Sequence, residues 1–272
     1  MKAVIMAGGF GTRLRPLTIH IPKPLVPVGN VPIMEHTVRL LQRHGFTDLT
    51  VLLYFLPETI TGHFGDGSRW GVRMHYVTPT ADLGTAGAVK FAVGDLGEAV
   101  LVISGDVLTD FDLAEAVRFH RERHAEATMV LTRVEMPLSY GIVITDEAGR
   151  IIRFLEKPTW GEVFSDTINT GIYLLEPPVF AAIPPGRSYD FGKELFPALL
   201  ASGRSLWGHV AKGYWKDVGD LAEYRAAHLD LLQGRISVEV PGKRTEGAGH
   251  VVWLDEGTRV DYTAKLVGRL IK

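Results

Sequence analysis

A chain of 272 residues, 46% of them hydrophobic, is long enough to bury a full core as one large domain or one domain plus an appendage. Lys+Arg 29 against Asp+Glu 31 leaves a formal charge of -2 and no long basic run, which argues against a nucleic-acid partner. The absence of cysteine excludes disulfides, thiol catalysis and cysteine-ligated zinc, and no apolar run approaches a membrane span. Gly8, Gly9 and Gly11 interrupt the N-terminus where a signal peptide would need its apolar segment, so a cytoplasmic protein without a membrane partner is expected.

In chain order, residues 2–6 form a continuous apolar run suited to a strand buried on both faces. Residues 32–44 carry Ile33, Met34, Thr37, Leu40 and Leu41 at helical spacing, with Gly45 placed to cap the C-terminus. Strands are predicted over 49–53, 72–77 and 99–104, and helices over 86–93 and 112–124, the latter capped by Asp112. This alternation calls for a mostly parallel sheet covered by helices on both faces. The second half is mixed, with strands at 127–134, 141–145, 151–155 and 171–175 and helices at 189–201 and 221–232. An α/β sheet extended by antiparallel strands is expected.

After residue 233 the pattern changes. Residues 242–249 are polar and glycine-rich, and 234–249 is read as a linker. Beyond it Leu254, Val260 and Leu266 recur every six residues, with Thr258, Ala264 and Leu270 four places after each. That is the period of a hexapeptide β-helix, of which residues 250–272 would be about one coil. Such a coil packs on the domain formed by residues 1–233, joins a partner subunit, or begins a longer repeat.

The loop after the first strand, AGGFGTR, is the strongest chemical signal. It begins like a dinucleotide fingerprint, but Leu14 replaces the third glycine and no acidic residue follows about twenty positions later. It lacks the G-K-[ST] ending of a Walker A loop. Glycine-freed backbone N–H groups together with Arg13, Arg15 and Lys23 form a cradle for a polyphosphate. Pro16, Pro22, Pro24 and Pro27 stiffen the segment that presents Lys23. Asp106 follows a buried strand at its carboxyl end, where open α/β sheets place ligands, and Asp217 stands in a similar setting. Two such carboxylates suit Mg²⁺ bridging phosphates, although each also reads as a turn aspartate. Glu156 and Lys157 close a strand and on their own read as solvated surface. His120 and His124 lie at i, i+4 among arginine and glutamate on a face that reads as wet, so zinc is not expected there.

The runs GGFGTRLRPLT and PKPLVPV together resemble the nucleotide-binding segment of the sugar-1-phosphate nucleotidylyltransferases (NDP-sugar pyrophosphorylases). LGTAGA, SGDVLTD, SYG, FLEKP, NTGIY and YWKDVGD agree in the same order, so the resemblance covers about residues 1–233. Among members of that family, LGTAGA and DLAEYRAAHLDLL are most similar to the mannose-1-phosphate guanylyltransferases. The resemblance implies a Rossmann-like three-layer α/β fold with a mixed sheet, followed by a left-handed β-helix-like hexapeptide tail. It also implies Mg²⁺ as cofactor, held by Asp106 and Asp217, and a homo-oligomer.

For the site, the resemblance puts the nucleotide on Ala7, Gly8, Gly9, Gly11, Thr12, Arg13, Lys23, Leu83, Gly84 and Thr85. It puts the sugar phosphate on Tyr140, Gly141, Glu156, Lys157 and Asn169. Arg13 would meet the β- and γ-phosphates and Lys23 the α-phosphate. The implied reaction is transfer of a nucleotidyl group from an NTP to a sugar 1-phosphate. GTP with mannose 1-phosphate is the first expectation, and uridylyl, thymidylyl or adenylyl transfer to glucose 1-phosphate the alternative. A non-catalytic subunit on this fold should have lost the arginine, the lysine or an aspartate, and this chain keeps all of them.

Overall fold

The computed structural model describes residues 1–94, 97–247, 250–254 and 257. The first half contains β1 (Lys2–Ala7), the two-residue strands β2 (Pro27–Val28) and β3 (Val31–Pro32), α1 (Ile33–Arg43), β4 (Asp48–Leu53), α2 (Pro57–Phe64), β5 (Arg73–Val77), α3 (Gly84–Val93), β6 (Val100–Ser104), β7 (Val107–Thr109) and α4 (Leu113–Glu122). The second half adds β8 (Ala127–Arg133), β9 (Gly141–Thr145), β10 (Ile151–Glu156), β11 (Thr167–Leu175), α5 (Pro177–Ala181), α6 (Phe196–Ala201), β12 (Leu206–Val210), β13 (Trp215–Asp217), α7 (Leu221–Leu232), β14 (Lys243–Gly247) and β15 (His250–Leu254). Asp112 caps α4 as expected, its carboxylate accepting the Glu115 N–H at 3.0 Å.

A nine-stranded mixed sheet runs β10-β9-β11-β6-β1-β4-β5, with β8 also on β11 and β12 on β8. β1 pairs in parallel with both β4 and β6, while β11 lies antiparallel to β6, β8 and β9. Adjacent residues of each central strand face opposite sides, so the apolar runs feed two cores. Ile5, Val51 and Ile103 pack with Met34 and Val38 of α1 and Phe64 of α2 on one side. Val4, Val102 and Met129 pack with Val89 of α3 and Phe196 of α6 on the other. This is the three-layer α/β arrangement.

Several expectations need correction. The segment 189–201 is not one regular helix: residues 191–195 form a π-helical turn before α6. Pro197 offers no N–H to continue the ladder, and Asp190 instead caps the turn through the Gly192 and Lys193 N–H groups. The supposed linker contains β14, paired antiparallel with β15 from Lys243↔Leu254 to Gly247↔His250. Its polar composition hid a strand whose partner carries Val252, which is buried, and Trp253, which packs against the cluster around Leu231 of α7. The hexapeptide positions after Leu254 all lie outside the described residues. His120 is not on a wet face. It is 1% exposed, with Nδ1 2.8 Å from Thr128 Oγ1 and Nε2 3.3 Å from Glu176 Oε1, because that face of α4 packs on β8. Among the described residues no group of three His, Asp or Glu could hold a metal, and no helix is long and apolar enough to cross a membrane.

Candidate active site

The order of the sheet reverses at β1: the chain runs outward from β1 through β4 to β5 and then returns to place β6 on the other side of β1. A crevice therefore opens at the carboxyl ends of β1 and β6, and the loops leaving those strands carry AGGFGTR and Asp106. Gly11 is left-handed (φ 63°), and a Cβ on it would stand 3.0 Å from Lys23 Cβ and 3.1 Å from Thr18 Cγ2. Thr18 locks this fold-back by donating its hydroxyl to Gly11 O at 2.7 Å. The glycine thus lets the loop close over the segment that delivers Lys23.

The Lys23 side chain is 8% exposed, and its Nζ lies 2.5 Å from Asp106 Oδ2 and 3.6 Å from Asp217 Oδ1. A short antiparallel ladder explains how the two aspartates meet: β13 pairs with β7, setting Asp217 opposite Val107, and Val218 N–H donates to Asp106 O. Arg13 completes the group. A Cβ on Gly219 would be 3.1 Å from Arg13 Nη2 and 3.2 Å from Asp217 Oδ2, so the guanidinium and carboxylate converge over that glycine. Burial pushes the Asp217 carboxyl up, and the neighbouring Asp106 pushes it further, against the opposing pull of Lys23 and Arg13. Two carboxylates thus stand against a buried ammonium and a nearby guanidinium, so charge is concentrated at this point.

Two clefts meet here. The smaller, about 180 Å³, is walled by Tyr140, Gly141, Glu156, Asn169, Tyr173 and Trp215. β11 breaks register between Asn169 and Tyr173, and this irregularity aims Asn169 into the cleft. Its Oδ1 accepts the Gly171 N–H at 3.0 Å, its Nδ2 donates to Tyr173 Oη at 2.9 Å, and Gly171 supplies the required positive φ of 78°. A Cβ on Gly141 would lie 2.7 Å from Glu156 Oε2, so the carboxylate rests on a glycine floor. Burial raises the Glu156 carboxyl, partly offset by Lys157. Burial also pushes the Tyr140 hydroxyl up to about 12, with Asp217 adding to the effect. Trp215 stands edge-on to Tyr140 and donates Nε1–H to Thr170 O.

The larger cleft, about 770 Å³, is walled by Gly8 and Gly9 on one side and by Leu83, Gly84 and Thr85 on another. Both clefts include Ser104 and Asp106 in their walls, so they adjoin at the end of β6.

Of the residues expected from sequence, Gly8, Gly9, Leu83, Gly84 and Thr85 wall the larger cleft, and Tyr140, Gly141, Glu156 and Asn169 wall the smaller. Asp217 walls the smaller and Asp106 both. Ala7, Gly11, Thr12, Arg13, Lys23 and Lys157 are not among the wall residues of either. Arg13 and Lys23 act at the junction through the contacts above, while Lys157 is exposed with a positive φ of 48°. Arg15 is exposed and joins neither cleft. Asp220 is a local helix cap, accepting the Ala222 and Glu223 N–H groups. Asp110 instead ties two distant segments, accepting from Tyr214 N and Ser237 N.

Sequence reasoning missed Ser104, Tyr54 and the wall formed by Asp190 and Lys193. Tyr54 follows β4 directly, so the same carboxyl-end rule that located Asp106 would have found it. It meets Phe10 edge-on at 5.5 Å. Asp190 carried no local signal, because its role depends on pairing with a loop from the other half of the chain.

The nucleotidyl transferase family matches residues 2–234. The chain is 40% identical over 258 residues to a UTP–glucose-1-phosphate uridylyltransferase of Synechocystis, covering 89% of this chain and 66% of that one. It is 37% identical over 271 residues to a mannose-1-phosphate guanylyltransferase of Mycobacterium tuberculosis, covering 98% and 74%. The chain thus spans about two thirds to three quarters of the length of these relatives. Among solved structures, a putative glucose-1-phosphate thymidylyltransferase from Bacillus anthracis superposes with a TM-score of 0.75 at 28% identity, covering 84% of this chain and 94% of that one. A UDP-glucose pyrophosphorylase shares the fold, with a TM-score of 0.73, 18% identity, and 86% and 99% coverage. With the switch-point crevice and its loops in place, the chain belongs to the nucleotidyl transferase family, among the sugar-1-phosphate nucleotidylyltransferases.

Proposed function

We propose that the protein transfers guanylyl from GTP to mannose 1-phosphate, giving GDP-mannose and pyrophosphate. One observation carries the reading of the site: two clefts of different size join at Asp106, and the junction holds Arg13, Lys23, Asp106 and Asp217. The nucleoside occupies the larger cleft and the sugar the smaller, so the phosphates of both reach the junction. There a phosphate oxygen of the sugar 1-phosphate attacks the α-phosphorus, the bond to the bridging α–β oxygen breaks, and pyrophosphate leaves. The attacking oxygen is already anionic near neutral pH, so no general base is required. The obstacle is repulsion between two anions, which positioned cations reduce. Lys23 meets the α-phosphate, and Arg13 the departing β- and γ-phosphates. Glu156 and Asn169 accept and donate hydrogen bonds to sugar hydroxyls, and Lys157, exposed at the end of β10, reaches in to the sugar phosphate when it is bound.

Asp106 and Asp217 fit a divalent cation: both offer hard oxygens to one point, now marked by the Lys23 ammonium. Mg²⁺ is commonly held by one or two carboxylates plus substrate phosphates, and these two residues would hold it. When bound it would neutralise phosphate charge. Cytoplasmic location and homo-oligomeric assembly belong to the same proposal.

The guanine and mannose assignment draws on the similarity of several guanylyltransferases at 35–37% identity. Transfer of uridylyl, thymidylyl or adenylyl to glucose 1-phosphate is the second reading, favoured by the 40% identity to the uridylyltransferase. A matrix of NTPs against sugar 1-phosphates, read by pyrophosphate release, tests both. GTP with mannose 1-phosphate should give the highest kcat/KM. Release only with glucose 1-phosphate would move the assignment to the second reading, and no release with any pair would overturn the activity.

A further inference from the structure

Besides Ser104 and Asp106, the segment 187–195 links the two clefts: Ser188, Asp190, Lys193 and Glu194 wall the larger one, and its other side packs behind the smaller. Helix α3 begins with Leu83 as its N-cap, which offers no side-chain acceptor to the helix N–H groups. The missing acceptor comes from the other half of the chain. Ala86 and Gly87 N–H both donate to Tyr189 O, at 2.9 and 3.0 Å, and Tyr189 N–H donates back to Leu83 O at 2.9 Å. Thr85 tightens the contact, donating its hydroxyl to Asp190 Oδ2 at 2.8 Å and accepting the Phe191 N–H at 3.0 Å. Gly84 allows the approach: a Cβ there would sit 2.6 Å from Tyr189 O.

Asp190 uses its other oxygen on the sugar side. Oδ1 accepts the Gly192 and Lys193 N–H groups at 2.9 and 3.1 Å and so fixes the turn 191–195. Gly192 in that turn is buried directly against the Glu156 carboxylate, and a Cβ on it would lie 2.7 Å from Glu156 Cδ. Phe191 packs on Tyr173 at 4.9 Å between ring centres, and Tyr173 is a wall of the sugar-side cleft. One carboxylate therefore fastens the loop of the larger cleft with one oxygen and the back wall of the smaller cleft with the other.

We infer that Asp190 is a positioning residue that couples the two substrate sites, and that Thr85 is its contact on the nucleotide side. The inference rests on the assignment of the two clefts made above. Nucleotide that orders residues 83–87 orders Asp190 through Thr85, and Asp190 then holds the 191–195 turn so that Glu156 faces the sugar. The coupling is between binding events, so it shows in the affinity for one substrate when the other site is full.

The test is steady-state kinetics of the full chain at saturating NTP, using the pair that the wild type turns over fastest. Thr85→Val keeps the shape and removes the hydroxyl. If Thr85 served the nucleotide alone, saturation would hide the defect, and the KM for sugar 1-phosphate would match wild type. Coupling predicts that this KM rises about fivefold or more, the low end of a typical coupling between two sites, while kcat falls less than about threefold. Thr85→Ser, which restores the hydroxyl, should return the KM most of the way. Asp190→Asn, which still offers an oxygen to cap the turn, serves if Thr85→Val does not fold, and should raise the same KM. A sugar-phosphate KM within twofold of wild type in the folded variant, or a defect equal in Val and Ser, overturns the coupling. A wild type that releases no pyrophosphate with any pair overturns the cleft assignment instead, so the two failures are distinguishable.

Discussion

Very few side chains hold the charge at the junction, and each is fixed by a neighbour. Lys23 is buried and sits between Asp106 and Asp217, and Arg13 approaches Asp217 over Gly219, so both positive charges stand beside the two carboxylates. Removing one such charge should lower kcat/KM about 10²–10³-fold for Arg13→Ala or Asp106→Asn in a pyrophosphate-release assay, and near-wild-type turnover in either would contradict its role. Glu156 allows a test by pH. Burial raises its carboxyl, so the folded chain binds that proton more tightly than the unfolded chain does. The stability this gives is present below the ordinary carboxylate range and is lost as pH rises through the folded value. Glu156→Gln should therefore raise the thermal midpoint near neutral pH and leave it unchanged below about pH 4. The same variant should raise the KM for sugar 1-phosphate, since an amide replaces an acceptor at the sugar. A midpoint that falls at neutral pH would show that the carboxylate is favourably bound there.

At the scale of elements, the sheet puts the loops in place and the glycines let them close. Long apolar runs such as 2–6 and 99–104 were legible as buried strands because both their faces are covered, and Asp112 was legible as a cap because capping is local. The irregular elements were not legible. β13 is three residues long and exists because β7 offers it a partner, while the turn 191–195 exists because Pro197 and Asp190 interrupt the helix pattern from both ends. Gly84 shows how such a contact constrains chemistry. Its φ is +66°, and an added Cβ would strike the Tyr189 carbonyl, so Gly84→Ala should dislodge the start of α3. The left-handed backbone alone costs an alanine about 1–2 kcal/mol. The KM for NTP should rise about tenfold or more in this variant, and an unchanged KM would show that the loop does not contact nucleotide.

For the molecule as a whole, ligand binding and folding are linked. An NTP held at about 100 times its Kd stabilises the native state by about 2.7 kcal/mol, which for a chain of this size shifts the thermal midpoint by several degrees. Such a shift with GTP and Mg²⁺, and none with NAD, is the expected pattern in thermal melts. Equal shifts with both would argue against a triphosphate site. The β14–β15 hairpin belongs to the folded body, since Trp253 packs on the cluster that includes Val26, Val28, Val218 and Leu231. Trp253→Ala should cost about 1–3 kcal/mol in denaturant unfolding, the lower end if the half-buried ring is easily replaced by water.

By itself the sequence determined the α/β class and membership of a family that acts on two anionic substrates, and it placed glycines and cations together in the first loop. These follow from local rules: apolar periodicity, glycine conformational freedom, and the charge of side chains close together in the chain. Only the tertiary structure decided that Asp106 and Asp217 share one lysine, that two clefts meet at the end of β6, and that Asp190 touches both sides of the site. Each of those depends on the pairing of segments far apart in the chain. Such pairing is set by which surfaces bury one another, and no local pattern encodes it.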